Sequence, residues 1–361
     1  MIKNQNEENM KGSEEFIRYG KSSKDIASHK QVFFNENDAL LSEATKINKL
    51  YLSQPKRIQC KNCNFILGKA DFTKLHVNYS ICKRCGHLNG ENEDNNSFCS
   101  AVYTSDNGSE YSKLYNSESI AAYKKRAKDI YTPKASFLRD ALANINIDPK
   151  ELKYADIGAG SGYFVSALRG VGLINSVGYE VSKSQVSFGN LMIGQPLLNK
   201  IDIEKTIKLV ETVDAEVVSM IGVLEHVQYP REILKALENN KKVKYFYISV
   251  PLFSLGVFLE MVFPAIMNRQ LSGAHTHLYT ESSLEYMANE FNLTRIASWW
   301  FGTDMMDLHR SVSVSLSQNN FEPKIVLMWN ELFGSVLDIF QLELDKKNMS
   351  SEVHMLFKLD R

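Results

Sequence analysis

The sequence runs to 361 residues, 44% of them hydrophobic, with 42 lysines and arginines balanced by 42 aspartates and glutamates. That length accommodates two or three domains, and the absence of a basic excess speaks against a protein that tracks a phosphate backbone. The polar N-terminus (MIKNQNEENMKGSEEF) lacks the apolar stretch of a signal peptide, and the five cysteines include two C-x-x-C pairs, which suit a metal site in a reducing compartment better than a disulfide framework. A cytoplasmic protein is expected.

Residues 1–50 read as a polar leader, with weak helical spacing around Asp38–Leu50. Residues 51–100 carry Cys60-x-x-Cys63 and Cys82-x-x-Cys85, separated by 18 residues, a spacing that fits a zinc ribbon. Each pair sits on a tight turn, and four thiolates close a tetrahedron with no position left for substrate, so the expected Zn2+ is structural. Gly86 suits the turn after Cys85, His87 reads as a turn residue, and Cys99 as a buried or linker cysteine outside the site. Residues 101–145 read as a linker and helical cover. The stretch 91–112 is rich in Asn, Ser, Asp and Glu and is expected to be exposed, and 117–143 has helical spacing broken at Pro133.

From residue 146 to the end the pattern alternates. YADIGAG is a strand running into a turn, Tyr163–Arg169 opens a helix, SVGYEV is a second strand and Lys183–Met192 a second helix. LLNKI and AEVVSMIG are further strands, followed by a helix at Pro230–Asn239 and a strand at KVKYFYISVP. Such alternation predicts an α/β, Rossmann-like fold with a mostly parallel sheet covered by helices on both faces. Residues 245–267 carry only one charge, Glu260, and are long enough to span a membrane. Pro251 and Pro264 interrupt them, and the aromatic, β-branched run before Pro251 predicts a buried strand followed by an apolar helix. A helix at Thr280–Phe291 with Thr280 as N-cap, a strand at Leu293–Trp300, a helical insertion near 302–345 and a last strand at 352–359 complete a seven-stranded sheet.

Asp156-Ile-Gly158-Ala159-Gly160-Ser-Gly162 ends the first strand of this domain. The glycines permit a tight turn and close backbone approach to a ligand. The G-x-G-x-G spacing differs from the dinucleotide fingerprint, and Asp156 suits a cationic group better than a pyrophosphate. Glu180 closes the second strand, 18 residues after Gly162, where a carboxylate can accept both ribose hydroxyls. Asp202, after the third strand, is a candidate acceptor from an adenine amino group.

The set D-I-G-A-G-S-G-Y, G-Y-E and V-L-E-H-V resembles the class I S-adenosylmethionine-dependent methyltransferases. The resemblance implies that Asp156 to Gly162 hold the methionyl part of that cofactor, that Glu180 holds its ribose, and that Met220 to Val223, Gly222 included, wall the reacting sulfonium. A four-cysteine ribbon ahead of the domain, with Tyr123, Arg126 and Pro133 on the helical stretch between, is similar to methyltransferases of sugar and surface-polysaccharide biosynthesis. The acceptor implied is a small molecule, such as a nucleotide-linked sugar, methylated at oxygen or carbon. The helical insertion departs from the short hairpin of many members and leaves the substrate end open.

Methyl transfer needs an aligned nucleophile and a route for its proton. Glu225 and His226 follow the fourth strand at the rim. His226, titrating near neutrality, is the candidate general base, with Glu225 orienting it, and whether a divalent metal joins the pair is left open. Beyond the fifth strand, His275, His277 and Tyr279 are candidate substrate residues, as are Trp299, Trp300 and Asp304. An H-x-H metal pair lacks a third ligand nearby in sequence. Two rival readings are an RNA methyltransferase with the ribbon as reader, disfavoured by the neutral charge and by I-G-V-L-E-H where amino-methylating enzymes carry N-P-P-Y, and a non-catalytic scaffold, disfavoured by the intact loop. The apolar stretch 252–267 is read as a substrate cover, a homodimer contact or a surface for a lipid-linked substrate; a membrane-spanning role is disfavoured.

Overall fold

The computed structural model describes residues 15–29, 32–104, 119–267, 269–271 and 275–361. The first 14 residues of the leader and most of the expected linker, 105–118, lie outside the described residues.

Twelve strands form two sheets among the described residues. In chain order they are β1 Phe16–Tyr19, β2 Phe72–Lys74, β3 Val77–Ile81, β4 Leu88–Gly90, β5 Tyr154–Ile157, β6 Ser176–Glu180, β7 Leu198–Lys200, β8 Val217–Ile221, β9 Tyr245–Pro251, β10 His277–Leu278, β11 Leu293–Phe301 and β12 Glu352–Leu359. The larger sheet has the order β1-β11-β12-β9-β8-β5-β6-β7, with only β12 antiparallel to its neighbours. It is the expected Rossmann-like sheet with one correction, eight strands instead of seven. The extra strand comes from the supposed leader. Phe16 packs on Phe137 and the Arg18 guanidinium lies over the Trp299 ring, while Ile17 and Tyr19 stay exposed, so β1 buries only alternate residues. Four residues are too few for that alternation to stand out in a polar segment.

Two apolar cores flank the sheet. One gathers Ile157, Val218, Met220, Leu234, Phe246, Ile248, Trp300 and Met355; the other gathers Phe137, Leu138, Leu168, Tyr247, Trp299 and Phe301. The strands contribute to both faces, as a sheet with helices on each side requires. The helical cover runs Ile120–Arg126, a π-helical turn at Ala127–Tyr131, then Thr132–Asn144. It is therefore not broken at Pro133. Proline sits in the first turn of the last segment, where its missing N–H removes no helical hydrogen bond.

The apolar stretch divides as expected into buried β9 and the helix Leu255–Val262. The insertion is helical: Asp304–Gln318, Pro323–Gly334 and Leu337–Asp345. Among the described residues no single helix is long and apolar enough to cross a membrane. The last two helices satisfy length and composition only jointly, bent by 47°.

The ribbon's sheet, order β10-β4-β3-β2, takes its fourth strand from residues 277–278 of the α/β half. Nor is 91–112 uniformly exposed. Asp94 is buried between Lys61 and Arg57, and Asn96–Cys99 continues as a π-helical turn through Thr104. Three charges so close must be buried together, since any one alone would be uncompensated.

Candidate active site

Gly158, Gly160 and Gly162 all adopt left-handed backbone, with φ of 71°, 53° and 75°. A Cβ on Gly158 would fall 2.7 Å from Val223 Cγ2, so the loop after β5 presses directly on the segment leaving β8. Ala159 lies against Gly178, whose own added Cβ would meet Ala159 Cβ at 2.6 Å. Gly222, at φ 68°, turns the chain out of β8 and donates its N–H to the Ser249 carbonyl. The crevice therefore opens at the carboxyl ends of β5, β6 and β8, where ligands of such sheets bind.

Two buried carboxylates line it. Asp156 Oδ1 accepts from Ser219 Oγ at 2.7 Å, and burial pushes its carboxyl up to about 7. Glu180 Oε2 accepts from the Gly160 N–H at 2.9 Å and Oε1 from the Ser182 N–H at 2.8 Å. Burial raises it above the ordinary glutamate range despite these donors. Each carboxylate oxygen has a second lone pair, so Glu180 retains acceptor capacity for hydroxyl groups. The donor set thus fits a ligand with a cationic end and a diol. Asp202 is different. It is half-exposed beyond β7, paired with Lys200 and Lys205, which pull it down to about 2. Each lysine engages one oxygen of this carboxylate.

The reacting side is formed by Glu225, His226 and His275, which can each offer one ligand atom within 4.8 Å of the others. Glu225 is buried, which drives its carboxyl up to about 8, and Oε2 has no hydrogen-bond partner. His226 Nε2 stands 3.8 Å from Glu225 Oε1, beyond hydrogen-bond reach, so the expected orienting bond between them is not formed. His226 is oriented instead by the Tyr103 hydroxyl, 2.8 Å from Nδ1. Tyr103 lies in the stretch read as linker, and only its helical context would have singled it out. His275 Nδ1 pairs with the Gln270 carbonyl at 2.7 Å, and burial lowers this imidazole to about 4, leaving it neutral.

The other expected substrate residues lie elsewhere. His277 is fully buried, with Nδ1 at 2.8 Å from His87 Nε2, so His87 is an interior partner rather than a turn residue. Tyr279 is fully buried against His87 in the core. Trp299 and Trp300 point to opposite faces of β11 and each fills a core; period-two alternation forbids both from lining one wall. Asp304 accepts from Ser254 Oγ, the Gly256 N–H and the Ser351 N–H, which ties the insertion to the sheet and leaves no face for substrate.

Cys60, Cys63, Cys82 and Cys85 converge and are buried, with Sγ separations of 3.7 Å for Cys60–Cys85 and 3.5 Å for Cys63–Cys82. A tetrahedral zinc–thiolate site with bonds of about 2.3 Å requires edges of about 3.8 Å, so the cluster is compatible with a closed zinc site. Cys99 stays outside it, with its thiol near the Asp94 carbonyl.

Residues 126–298 match the family model described as "Methyltransferase domain". No curated protein matches the sequence. Among solved structures, the magnesium protoporphyrin IX methyltransferase of Synechocystis PCC 6803 with bound SAH is similar at 10% identity, covering 69% of this chain and 93% of that one, with a TM-score of 0.44. The plantazolicin methyltransferase BpumL in complex with SAH is similar at 13% identity over 67% and 89%, TM-score 0.41. A SAM-dependent methyltransferase from Archaeoglobus fulgidus is similar at 15% identity over 62% and 94%, TM-score 0.38. The family match falls on the strands and loops that build this crevice, and residues 126–298 carry a methyltransferase domain.

Proposed function

We propose that this enzyme methylates an oxygen or carbon atom of a small molecule, of the class of nucleotide-linked sugars or glycan precursors. The observation that carries the reading is the direct packing of Gly158 on Val223, which sets the cofactor loop beside the segment bearing Glu225 and His226. When bound, S-adenosylmethionine supplies a methyl group on a sulfonium. Asp156 and the glycine loop hold its cationic methionyl end, and Glu180 accepts from its ribose. His226, held by Tyr103, and Glu225 stand where the acceptor's proton must be handled.

The sugar class is supported by the ribbon and the helical cover ahead of the domain. Tyr123 donates to the Ser161 carbonyl at 2.9 Å and stacks on Tyr163, and Arg126 lies over the same ring, so the cover rests on the cofactor loop. The ribbon lends no support to an RNA reader. Its Arg57 and Lys61 are buried and paired with Asp94, Arg57 with Glu93 as well, and β4 is capped by β10.

Calorimetric titration with S-adenosylmethionine and its demethylated product tests the first half. Micromolar binding that Asp156→Ala abolishes is expected, and a chain that binds neither ligand is a scaffold. Transfer of a labelled methyl group to a panel of nucleotide sugars tests the second half, and transfer to RNA alone would overturn the acceptor class.

A further inference from the structure

We propose that Glu225, His226 and His275 form a site for one divalent transition-metal cation, whose remaining positions take adjacent oxygens of the acceptor, as in a diol or hydroxy-carbonyl. This rests on the reading of the crevice as the methyl-transfer site.

Three observations carry it. First, the donor set is two imidazoles and one carboxylate. That set binds first-row divalent cations and leaves positions open for a substrate. Second, the spacing is that of a bridged site. Bonds of about 2.1 Å put neighbouring ligands about 3.0 Å apart and opposed ones about 4.2 Å apart. His226 Nε2 and Glu225 Oε1 stand 3.8 Å apart, too far to bond each other and suitable for a shared ion, and all three ligand atoms fall within 4.8 Å. Third, the surroundings prepare the ligands. His275 Nδ1 is engaged by the Gln270 carbonyl, which fixes the tautomer with Nε2 as the lone-pair nitrogen; His226 Nδ1 is engaged by the Tyr103 hydroxyl, which turns Nε2 toward Glu225. A backbone carbonyl or side-chain oxygen on the far nitrogen is the usual support of a ligating histidine. Glu225 is 3% exposed, yet its Oε2 has no partner, an unsatisfied acceptor that a cation satisfies.

His277 is excluded from the set because its Nδ1 is bound to His87. The fourth-strand pair and the histidine loop are fifty residues apart in sequence and meet only through the fold. With a cation present, His226 is a ligand and not the proton acceptor. The cation would bind the acceptor's oxygens and make its hydroxyl more acidic, and that proton would pass to solvent as the methyl group is transferred.

The test is titration of zinc-loaded full-length protein with Co2+, followed by visible absorption. Uptake of about one equivalent with bands of nitrogen and oxygen ligation is expected, free of the intense thiolate charge-transfer absorption that marks entry into the ribbon. Glu225→Gln and His275→Asn should each weaken uptake more than about 100-fold, with zinc content, circular dichroism and affinity for the demethylated cofactor unchanged. If one variant fails to fold, the other decides. No uptake beyond the ribbon, or equal uptake by the variants, overturns the site. Cofactor binding without Co2+ uptake removes the cation and keeps the methyltransferase reading; Co2+ uptake without cofactor binding does the reverse.

Discussion

Cofactor affinity should depend on pH through one buried carboxyl. Asp156 has its carboxyl pushed up to about 7 by burial, with Ser219 as its side-chain donor. In the empty crevice it is therefore protonated below about pH 7 and ionised above. A cationic methionyl end favours the ionised form, so binding draws a proton off. The apparent affinity scales with the ionised fraction, which is about one in eleven at pH 6 and about ten in eleven at pH 8, so binding should tighten about tenfold, about 1.4 kcal/mol, over that range. Calorimetry with the demethylated cofactor at pH 6, 7 and 8 reads the affinity, and repetition in buffers of different ionisation enthalpy reads the released proton, about half an equivalent at pH 7. Asp156→Asn should bind weakly with a flat profile. The same shift acts on folding with the opposite slope. Because the folded state binds this proton more tightly, stability of the free protein declines as pH rises from the ordinary carboxylate range to about 7 and levels off above it. An affinity that is constant from pH 6 to 8, or proton uptake on binding, would refute the argument.

Gly158→Ala combines a left-handed backbone costing about 1–2 kcal/mol with a contact 2.7 Å from Val223, costing about 1–3 kcal/mol more. Val223→Ala in the same chain should recover only the second part in urea denaturation. Asp94→Ala strands Lys61 in the interior and leaves Arg57 with only Glu93 as a carboxylate partner, and should cost about 3–5 kcal/mol by the same measurement. Burial alone would raise the Asp94 carboxyl, but Lys61 and Arg57 outweigh it and hold it below the ordinary range, so its contribution is complete above about pH 4 and is lost as the pH falls. Stripping zinc by chelation, or Cys63→Ser, should abolish methyl transfer while leaving affinity for the demethylated cofactor within a few-fold. The strand β10 pairs with the ribbon, whereas the glycine loop packs on Val223 and donates to Glu180. Loss of cofactor affinity on chelation would show that the two halves are coupled more broadly.

Legibility in the sequence followed the range of each signal. The helices at Pro230–Asn239 and Glu281–Glu290, and the strand Glu352–Leu359, were readable because proline, the Thr280 N-cap and alternating apolar residues act within one element. The four cysteines and the glycine loop were readable because their chemistry needs fixed local spacing. The strand β1 was hidden because four residues cannot display a period. Tyr103 and Asp94 were hidden because polar composition marks a loop only when no partner waits in the fold, and theirs come from His226, Lys61 and Arg57. Of the histidines at 275 and 277, sequence could not say which faces the site. Strand pairing decides it. β10 carries His277 inward to His87 and leaves His275 two residues before the strand, beside His226.

That pairing also gives the four-cysteine cluster a place in the architecture of the site. Among the described residues, His277 and Leu278 take their strand partner from the ribbon. The ribbon holds this segment in three ways. The edge of β4 pairs with His277 and Leu278, Asp94 accepts from Thr276 at 2.8 Å, and Asn62 donates to the Ser283 carbonyl at 2.9 Å on the next helix. Short strands of three and two residues cannot persist alone. A closed four-thiolate site makes them rigid at the cost of no substrate-facing position. The ribbon is thus the clamp that sets His275 against Glu225 and His226. Its contribution to catalysis is geometric, and substitutions that preserve zinc but break the Asp94–Thr276 contact should affect turnover before they affect cofactor binding.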